Sequence, residues 1–257
     1  MLRRVPGCED GQLPDVAHRL AGGSGANLSV RLDTARGRFV LRLPVVLGPR
    51  AGVDRQREVR LQRRAAAAGL APAVLDADAQ AGWLLMEYVD QPTWTQAHLQ
   101  SPDGLQGLMG RIQRLQSLSV AGEAVFDAEA LLERQLALSA LIEPGWQQPL
   151  RDLLRASAGL LRDCAVRPGT QVVAHGDLDV GNMLGAEPLL IDWEYAQIAD
   201  PLYDVACLLA YYPALRRRSR RMLALLQRDS REERERLDCH IRLWGLINGL
   251  WKSLHGR

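Results

Sequence analysis

The chain has 257 residues, 47% hydrophobic and 24% charged, with a formal net charge of +2 at pH 7. That is room for one large domain or two lobes around a cleft, with the composition of an ordinary globular protein. A charge so near zero gives no ground for a nucleic-acid or membrane-surface partner. Of the 32 basic residues only Lys252 is a lysine, so a cation needed elsewhere must be an arginine. Cys8, Cys164, Cys207 and Cys239 lie far apart with no metal-binding spacing and read as small reduced apolar residues. Arg3 and Arg4 are not followed by an apolar stretch, and the longest apolar run, 205–212, is far too short to cross a bilayer. The expectation is a cytoplasmic protein with no membrane partner and no obligate protein partner.

In chain order, 28–32 and 38–43 read as two strands joined by a turn around 33–37. Asp54 is a candidate cap for a helix running to about Ala68, with Gly69 as its stop. The apolar run 83–89 has strand length and ends before Asp90-Gln91-Pro92. Beyond Pro92, helical spacing covers 103–119, 126–141, 147–166, 203–227 and 231–255. One segment interrupts the helices: Val172-Val173-Ala174, a polar loop from His175 to Asn182, then Leu189-Leu190-Ile191. The pattern predicts a small β-rich lobe over 1–89 and a larger, mainly helical lobe over 90–257.

The polar loop carries the chemistry. His175-Gly176-Asp177-Leu178-Asp179-Val180-Gly181-Asn182 places an Asp and an Asn five positions apart. Ten residues after Asn182, Ile191-Asp192-Trp193 sets a second acid at the end of a small hairpin. Phosphoryl transfer needs such a set: a carboxylate to orient the attacking hydroxyl and accept its proton, and oxygen donors for the magnesium ions that bridge ATP phosphates. The Asp-to-Asn spacing equals that of the protein-kinase catalytic loop. A polar turn whose Asp and Asn merely satisfy backbone groups would read the same in the loop taken alone.

HGDLDVGN followed by IDWEYA and DPLYDVA resembles the family of aminoglycoside phosphotransferases, choline/ethanolamine kinases and bacterial thiamine kinases, strongly over 172–210 and more loosely in the N-terminal part. The IDWEYA spelling is nearer the choline and thiamine kinases. The resemblance implies an α+β, bilobal, protein-kinase-like fold. It implies Asp177 as catalytic base, Asn182 and Asp192 as metal ligands, and ATP with Mg2+ as cofactors. His175 is read as shaping the loop, Asp204 as bracing it, and Asp200, before Pro201, as a helix N-cap.

For the nucleotide, the glycine-rich stretch Gly22-Gly23-Ser24-Gly25, with Asn27, precedes the first strand and would let backbone amides approach phosphates. Arg42, near the end of the second strand, stands where kinases place a phosphate-holding cation, with Glu58 on the next helix as its partner. Met86-Glu87-Tyr88-Val89 resembles the hinge where adenine meets main-chain groups, through Glu87 and Val89. For the acceptor, Trp193, Glu194 and Tyr195, with Trp244 and Trp251 near the C-terminus, supply aromatic faces and an acid of the kind that hold an ammonium group. Trp244 and Trp251, seven residues apart, read equally as one buried helix stripe.

These readings point to an ATP-dependent phosphotransferase acting on the hydroxyl of a small cationic or amine-bearing alcohol such as choline, ethanolamine or thiamine. An aminoglycoside or sugar kinase on the same scaffold, and a nucleotide-binding pseudo-kinase or regulatory binding protein, stay open beside it. A protein kinase fits less well, because IDWEYA runs directly into a helix with no activation segment. The Arg-rich run 216–221 is the one feature favouring nucleic acid, against which the pairs Arg231/Glu235 and Glu232/Arg236 predict a solvated helix face.

Overall fold

A computed structural model describes residues 1–20, 27–45, 53–142, 145 and 147–255. The chain divides into two compact units. The first comprises the described residues of 1–95 together with 180–194, and the second takes 96–179 and 195–255.

In the first unit, β1 (Val16–Arg19), β2 (Asn27–Thr34), β3 (Gly37–Pro44), β4 (Val74–Asp78) and β5 (Trp83–Glu87) form one antiparallel sheet in the order β1-β2-β3-β5-β4. β2 and β3 pair from Asn27 opposite Pro44 to Thr34 opposite Gly37, a hairpin that puts Leu32, Phe39 and Leu41 on the buried face. Leu85 from β5 and the N-terminal Val5 and Cys8 complete that core cluster. Helix α1 (Arg55–Ala67) begins where the Asp54 side chain accepts the Arg57 amide. It stops at Gly69, whose φ of 68° suits a residue without Cβ. The sequence pattern missed β1, which is exposed along its length, and β4, interrupted by a register shift between Val74 and Asp76. Neither has the apolar alternation that marks a half-buried strand.

The first unit also holds a two-stranded hairpin, β7 (Met183–Leu184) and β8 (Leu189–Leu190). Met183 accepts the Trp94 amide, and the Leu190 amide donates to Leu70.

The second unit is helical: α2 (Gln96–Gln100), α3 (Pro102–Gln116), α4 (Ala128–Ile142), α5 (Gln147–Asp163), α6 (Tyr203–Tyr211), α7 (Ser219–Leu225) and α8 (Arg231–His255). One short antiparallel pair, β6 (Val172–Ala174) with β9 (Gln197–Ala199), crosses it. Thus the strand before the polar loop pairs with β9, not with the 189–191 segment. The single helix expected over 203–227 is broken. Pro213 starts a 3-10 turn over Pro213–Arg218, so α6 ends at Tyr211 and α7 begins anew at Ser219. Nor does IDWEYA lead straight into a helix, since a 3-10 turn over Trp193–Tyr195 and strand β9 intervene. Among the described residues no helix is long and apolar enough to cross a membrane. The fold is α+β and protein-kinase-like, with a small antiparallel-sheet N-terminal lobe and a larger helical C-terminal part.

Candidate functional site

In the first unit, Asn182 lies immediately before β7, and Asp192 follows β8 by one residue. The Met183–Leu190 pairing and the bond from the Ile191 amide to the Asn182 carbonyl at 3.0 Å therefore hold the two side by side at the hairpin's open end. Asp192 takes a φ of 63°, a left-handed conformation that costs a non-glycine residue about 1 kcal/mol or more. A backbone kept there fixes where the carboxylate points. Asp192 remains partly exposed, at 23% of its side chain.

Arg42 reaches the same carboxylate, donating from Nη1 to Oδ1 at 3.1 Å, while its Nη2 pairs with Glu58. Arg42 and Glu58 are almost wholly buried. Burial works against the Arg42 charge, but the carboxylates of Glu58, Asp192 and Glu194 outweigh it and hold the guanidinium above its ordinary value. Arg55 ties Glu58, at 2.8 Å, to Glu194, at 3.3 Å, and Asn27 donates to Glu194 at 2.7 Å. This is a network of cations and carboxylates built on β2, β3 and α1 around the hairpin's open end.

Two acceptor-side expectations fail here. Trp193 is fully buried with its indole N–H donated to Leu190, so it presents no face to a substrate. Glu194 is also buried, and its charge is spent on Arg55 and Asn27. For Glu194 the sequence could not show this, because its partners Arg55 and Asn27 lie more than 130 positions upstream.

Gly22, Gly23, Ser24 and Gly25 lie outside the described residues. At the expected hinge, the Glu87 amide bonds to Ala73 and the Tyr88 amide to Arg38. Among the described residues the Val89 amide has no hydrogen-bond partner.

In the second unit, the loop after β6 is bound to α6 backbone-first. Asp204 is buried in the first turn of α6, and its carboxylate accepts the amides of His175 and Gly176, each at 2.9 Å. Burial pushes the Asp204 carboxyl up to about 6, although the two amides pull it down. Gly176 has a φ of 80°, and a Cβ there would stand 2.4 Å from the Tyr195 carbonyl oxygen, so nothing larger fits. The buried His175 ring accepts the Asp177 amide on Nδ1 at 3.3 Å, and Cys207 Sγ receives the Leu178 amide at 3.3 Å. The four consecutive amides of His175, Gly176, Asp177 and Leu178 are thereby satisfied.

That side chain meets a residue the sequence reading missed. The Tyr211 hydroxyl, on the last residue of α6, donates to Asp177 Oδ1 at 2.5 Å, and Tyr212 donates to Asp179 Oδ2 at 2.8 Å. Trp244 of α8 packs edge-on against the Tyr211 ring, with centroids 4.6 Å apart. Trp244 is itself buried at 6% exposure, so its contact is with Tyr211 and not with solvent. Trp251 is half-buried further along the same helix, and Tyr195 is half-buried at the end of its 3-10 turn. The available signal for Tyr211 was its place seven residues after Asp204, two turns along one helix face.

Asp200 does not cap α6 as an N-cap, since that position is Leu202. Its carboxylate takes the Leu202 amide at 3.0 Å, pairs with Arg236 and lies 3.4 Å from His240 Nε2. The expected Glu232/Arg236 surface pair is thus absent: Arg236 turns inward, and Glu232 pairs with Arg167 at 2.5 Å. The Arg231–Glu235 pair does form, at 2.8 Å. Burial alone would raise the Asp200 carboxyl, but His240, the Leu202 amide and Arg236 hold it at about 2. Asp200→Ala should strand a buried guanidinium and cost roughly 3–5 kcal/mol, a fall in melting temperature of about 10 °C. Because the folded carboxyl sits below its unfolded value, this contribution is complete above about pH 4 and lost as pH falls toward 2. The gap between the melting temperatures of the two proteins should stay constant from pH 7 to pH 4 and narrow from pH 4 toward pH 2; a gap that does not narrow there would refute the ion pair as its source.

Comparison with known proteins completes the picture. The model of the phosphotransferase enzyme family matches residues 17–238. Protein LicA of Haemophilus influenzae is 28% identical over 195 residues, 73% of this chain, and the match spans only 56% of LicA. A choline/ethanolamine kinase family protein from Mesorhizobium loti superposes with a TM-score of 0.75 at 23% identity, covering 98% of this chain and 83% of that one. Choline kinase LicA from Streptococcus pneumoniae does so with a TM-score of 0.69 at 18% identity, covering 97% and 88%. Aminoglycoside phosphotransferases share the fold as well. With the family model spanning most of its length, the chain belongs to the phosphotransferase enzyme family.

Proposed function

We propose that this chain transfers the γ-phosphoryl group of ATP to the hydroxyl of a small cationic or amine-bearing alcohol of the choline, ethanolamine or thiamine kind. In this reading Asp177 accepts the acceptor's hydroxyl proton as the oxygen–phosphorus bond forms and the bond to the departing ADP breaks. Arg42, kept charged by Glu58, holds a phosphate. Asn182 and Asp192 are a pair of hard oxygen donors at one hairpin end, with Asp192 partly exposed. Such a pair suits Mg2+, which takes one or two carboxylate ligands and completes its shell with phosphates and water. The ion would supply charge neutralisation on the phosphates. The open main-chain donor at Val89 supports an adenine contact there.

The observation that carries the acceptor class is the half-buried Tyr211 ring, backed by Trp244, with its hydroxyl on Asp177. It puts an aromatic surface beside the base, and an aromatic face attracts a cation by about 0.5–2 kcal/mol. An aminoglycoside would instead want several free carboxylates, and Glu194 and Asp200 are both buried in ion pairs.

The test is a screen of alcohols with Mg-ATP, reading ADP release and a phosphate mass shift on the acceptor. Choline-like or amino alcohols should lead. The neutral carbon isostere of the best quaternary acceptor should bind about 5- to 30-fold more weakly, the loss of roughly 1–2 kcal/mol of cation–π attraction. A neutral sugar or an aminoglycoside turned over ahead of every small cationic alcohol would move the assignment.

A further inference from the structure

The arginine-rich run of the second unit has no part in the site described above. We propose that it is a docking face for an anionic phospholipid bilayer, whose plane of charged headgroups is its partner. The 3-10 turn Pro213–Arg218 and α7 together hold Arg216, Arg217, Arg218, Arg220 and Arg221 and no acid. Five arginines put +5 here, so with +2 for the whole chain the remainder carries −3. Net charge alone gave no ground for such a partner, but its distribution does. A negative surface attracts this face and repels the rest of the chain, which orients the approach.

Leu215, Met222, Leu223 and Leu226 are buried on one side of the run, and Arg216, Arg217, Arg220 and Arg221 are exposed on the other. Helical spacing of i, i+1, i+4 and i+5 keeps those four guanidiniums on one face. Arg218 alone turns back, toward the Leu99 carbonyl at 3.5 Å. Among the described residues the four exposed arginines have no hydrogen bond and no ion pair. Just downstream the pattern is the opposite: Arg228 meets Glu233, Arg231 Glu235, Arg234 Asp229 and Arg236 Asp200. A face that only keeps a protein in solution mixes both signs in that way. Nor do the neighbours compensate. α2, which Arg218 reaches, and α3, which packs against α7, contain a single acid, Asp103 at the start of α3. A nucleic acid would draw on the same cations, but none of these four elements has a Trp, Tyr or Phe on which bases could stack. A bilayer needs only the charge, and a helix bearing four or more basic residues is what an anionic leaflet attracts. The exposed residues between the arginines, Pro213, Ala214 and Ala224, are too small to wedge among acyl chains, so the contact stays with the headgroups and yields to salt.

The test is flotation of the whole protein with two kinds of vesicle, phosphatidylcholine alone and phosphatidylcholine with about one-third phosphatidylserine. The protein should float with the second and not with the first. Salt at about 0.5 M, where the Debye length falls below about 5 Å, should release it. Each arginine near the surface contributes about 5-fold to the partition, the equivalent of about 1 kcal/mol. Arg216→Gln with Arg217→Gln should therefore bind about 25-fold more weakly. The fourfold variant that adds Arg220→Gln and Arg221→Gln should lose more than about 100-fold. These side chains have no partner among the described residues to lose, so the variants should melt with wild type, and lost binding is then not lost fold. The readout depends on neither the acceptor nor phosphoryl transfer, so it stands or falls apart from the kinase reading. Indifference to the anionic vesicles overturns the proposal, and so does a fourfold variant that floats like wild type. RNA that strips the protein from the vesicles at an equal concentration of phosphate overturns it too, by giving the face to nucleic acid.

Discussion

Asp177→Ala and Asp177→Asn should each lower kcat by about 10²–10⁴-fold while the protein folds and binds Mg-ATP as before. General base catalysis by a positioned side chain contributes that much. Folding is spared because the loop hangs on other groups: Asp204 accepts two of its amides, His175 a third, and Cys207 a fourth. The Asn variant is the sharper of the two. It preserves the shape and can still accept from Tyr211 at Oδ1, so it removes little but the proton acceptor. The measurement is kcat and both KM values with the best acceptor from the screen, alongside a melting curve. Turnover within a factor of a few of wild type in the Asn variant would remove Asp177 from the chemistry.

The polar loop was legible as a segment because its signal is local. HGDLDVGN and IDW are recognisable from short spacings, and the hairpin that brings Asn182 beside Asp192 is implied by the nine residues between them. The β2–β3 hairpin and α1, with its Asp54 cap, were legible for the same reason. What failed depends on distant partners. IDWEYA spells two aromatic residues and an acid after Asp192, and nothing in those letters says that Trp193 is core or that Glu194 is claimed by Asn27 and Arg55. Arg236 reads as one of several surface arginines on α8, yet its partner is Asp200, 36 positions away. Tyr211 and Tyr212 were hidden by a helix expectation that ran through Pro213. Once Pro213 ends α6, the two tyrosines become a helix terminus free to turn toward the loop.

Mg-ATP should raise the melting temperature, and the Arg42 network says which variants should lose that rise. A ligand at about 100 times its Kd stabilises the folded state by roughly 2.7 kcal/mol, which for a chain of this length is a shift of about 5–10 °C. Asp192→Ala should abolish most of it, as should EDTA with wild type, because on the proposed reading the first removes a ligand of the metal and the second the metal itself. Asp192 is the more exposed of the two, and replacing it loses its 3.1 Å contact to Arg42. Arg42→Ala is different. It removes one of the two ion-pair partners that Glu58, 1% exposed, has among the described residues, so the nucleotide-free protein should itself melt lower by about 10 °C, the effect of breaking a buried pair at roughly 3–5 kcal/mol. The double variant Arg42→Met with Glu58→Gln removes both charges and should restore much of that stability, since buried ion pairs replaced together are often neutral. It should not restore the nucleotide shift, because the phosphate-holding cation is gone. A double variant that regains both stability and the Mg-ATP shift would show that Arg42 holds the fold alone, and a wild-type curve indifferent to saturating Mg-ATP would contradict nucleotide binding itself.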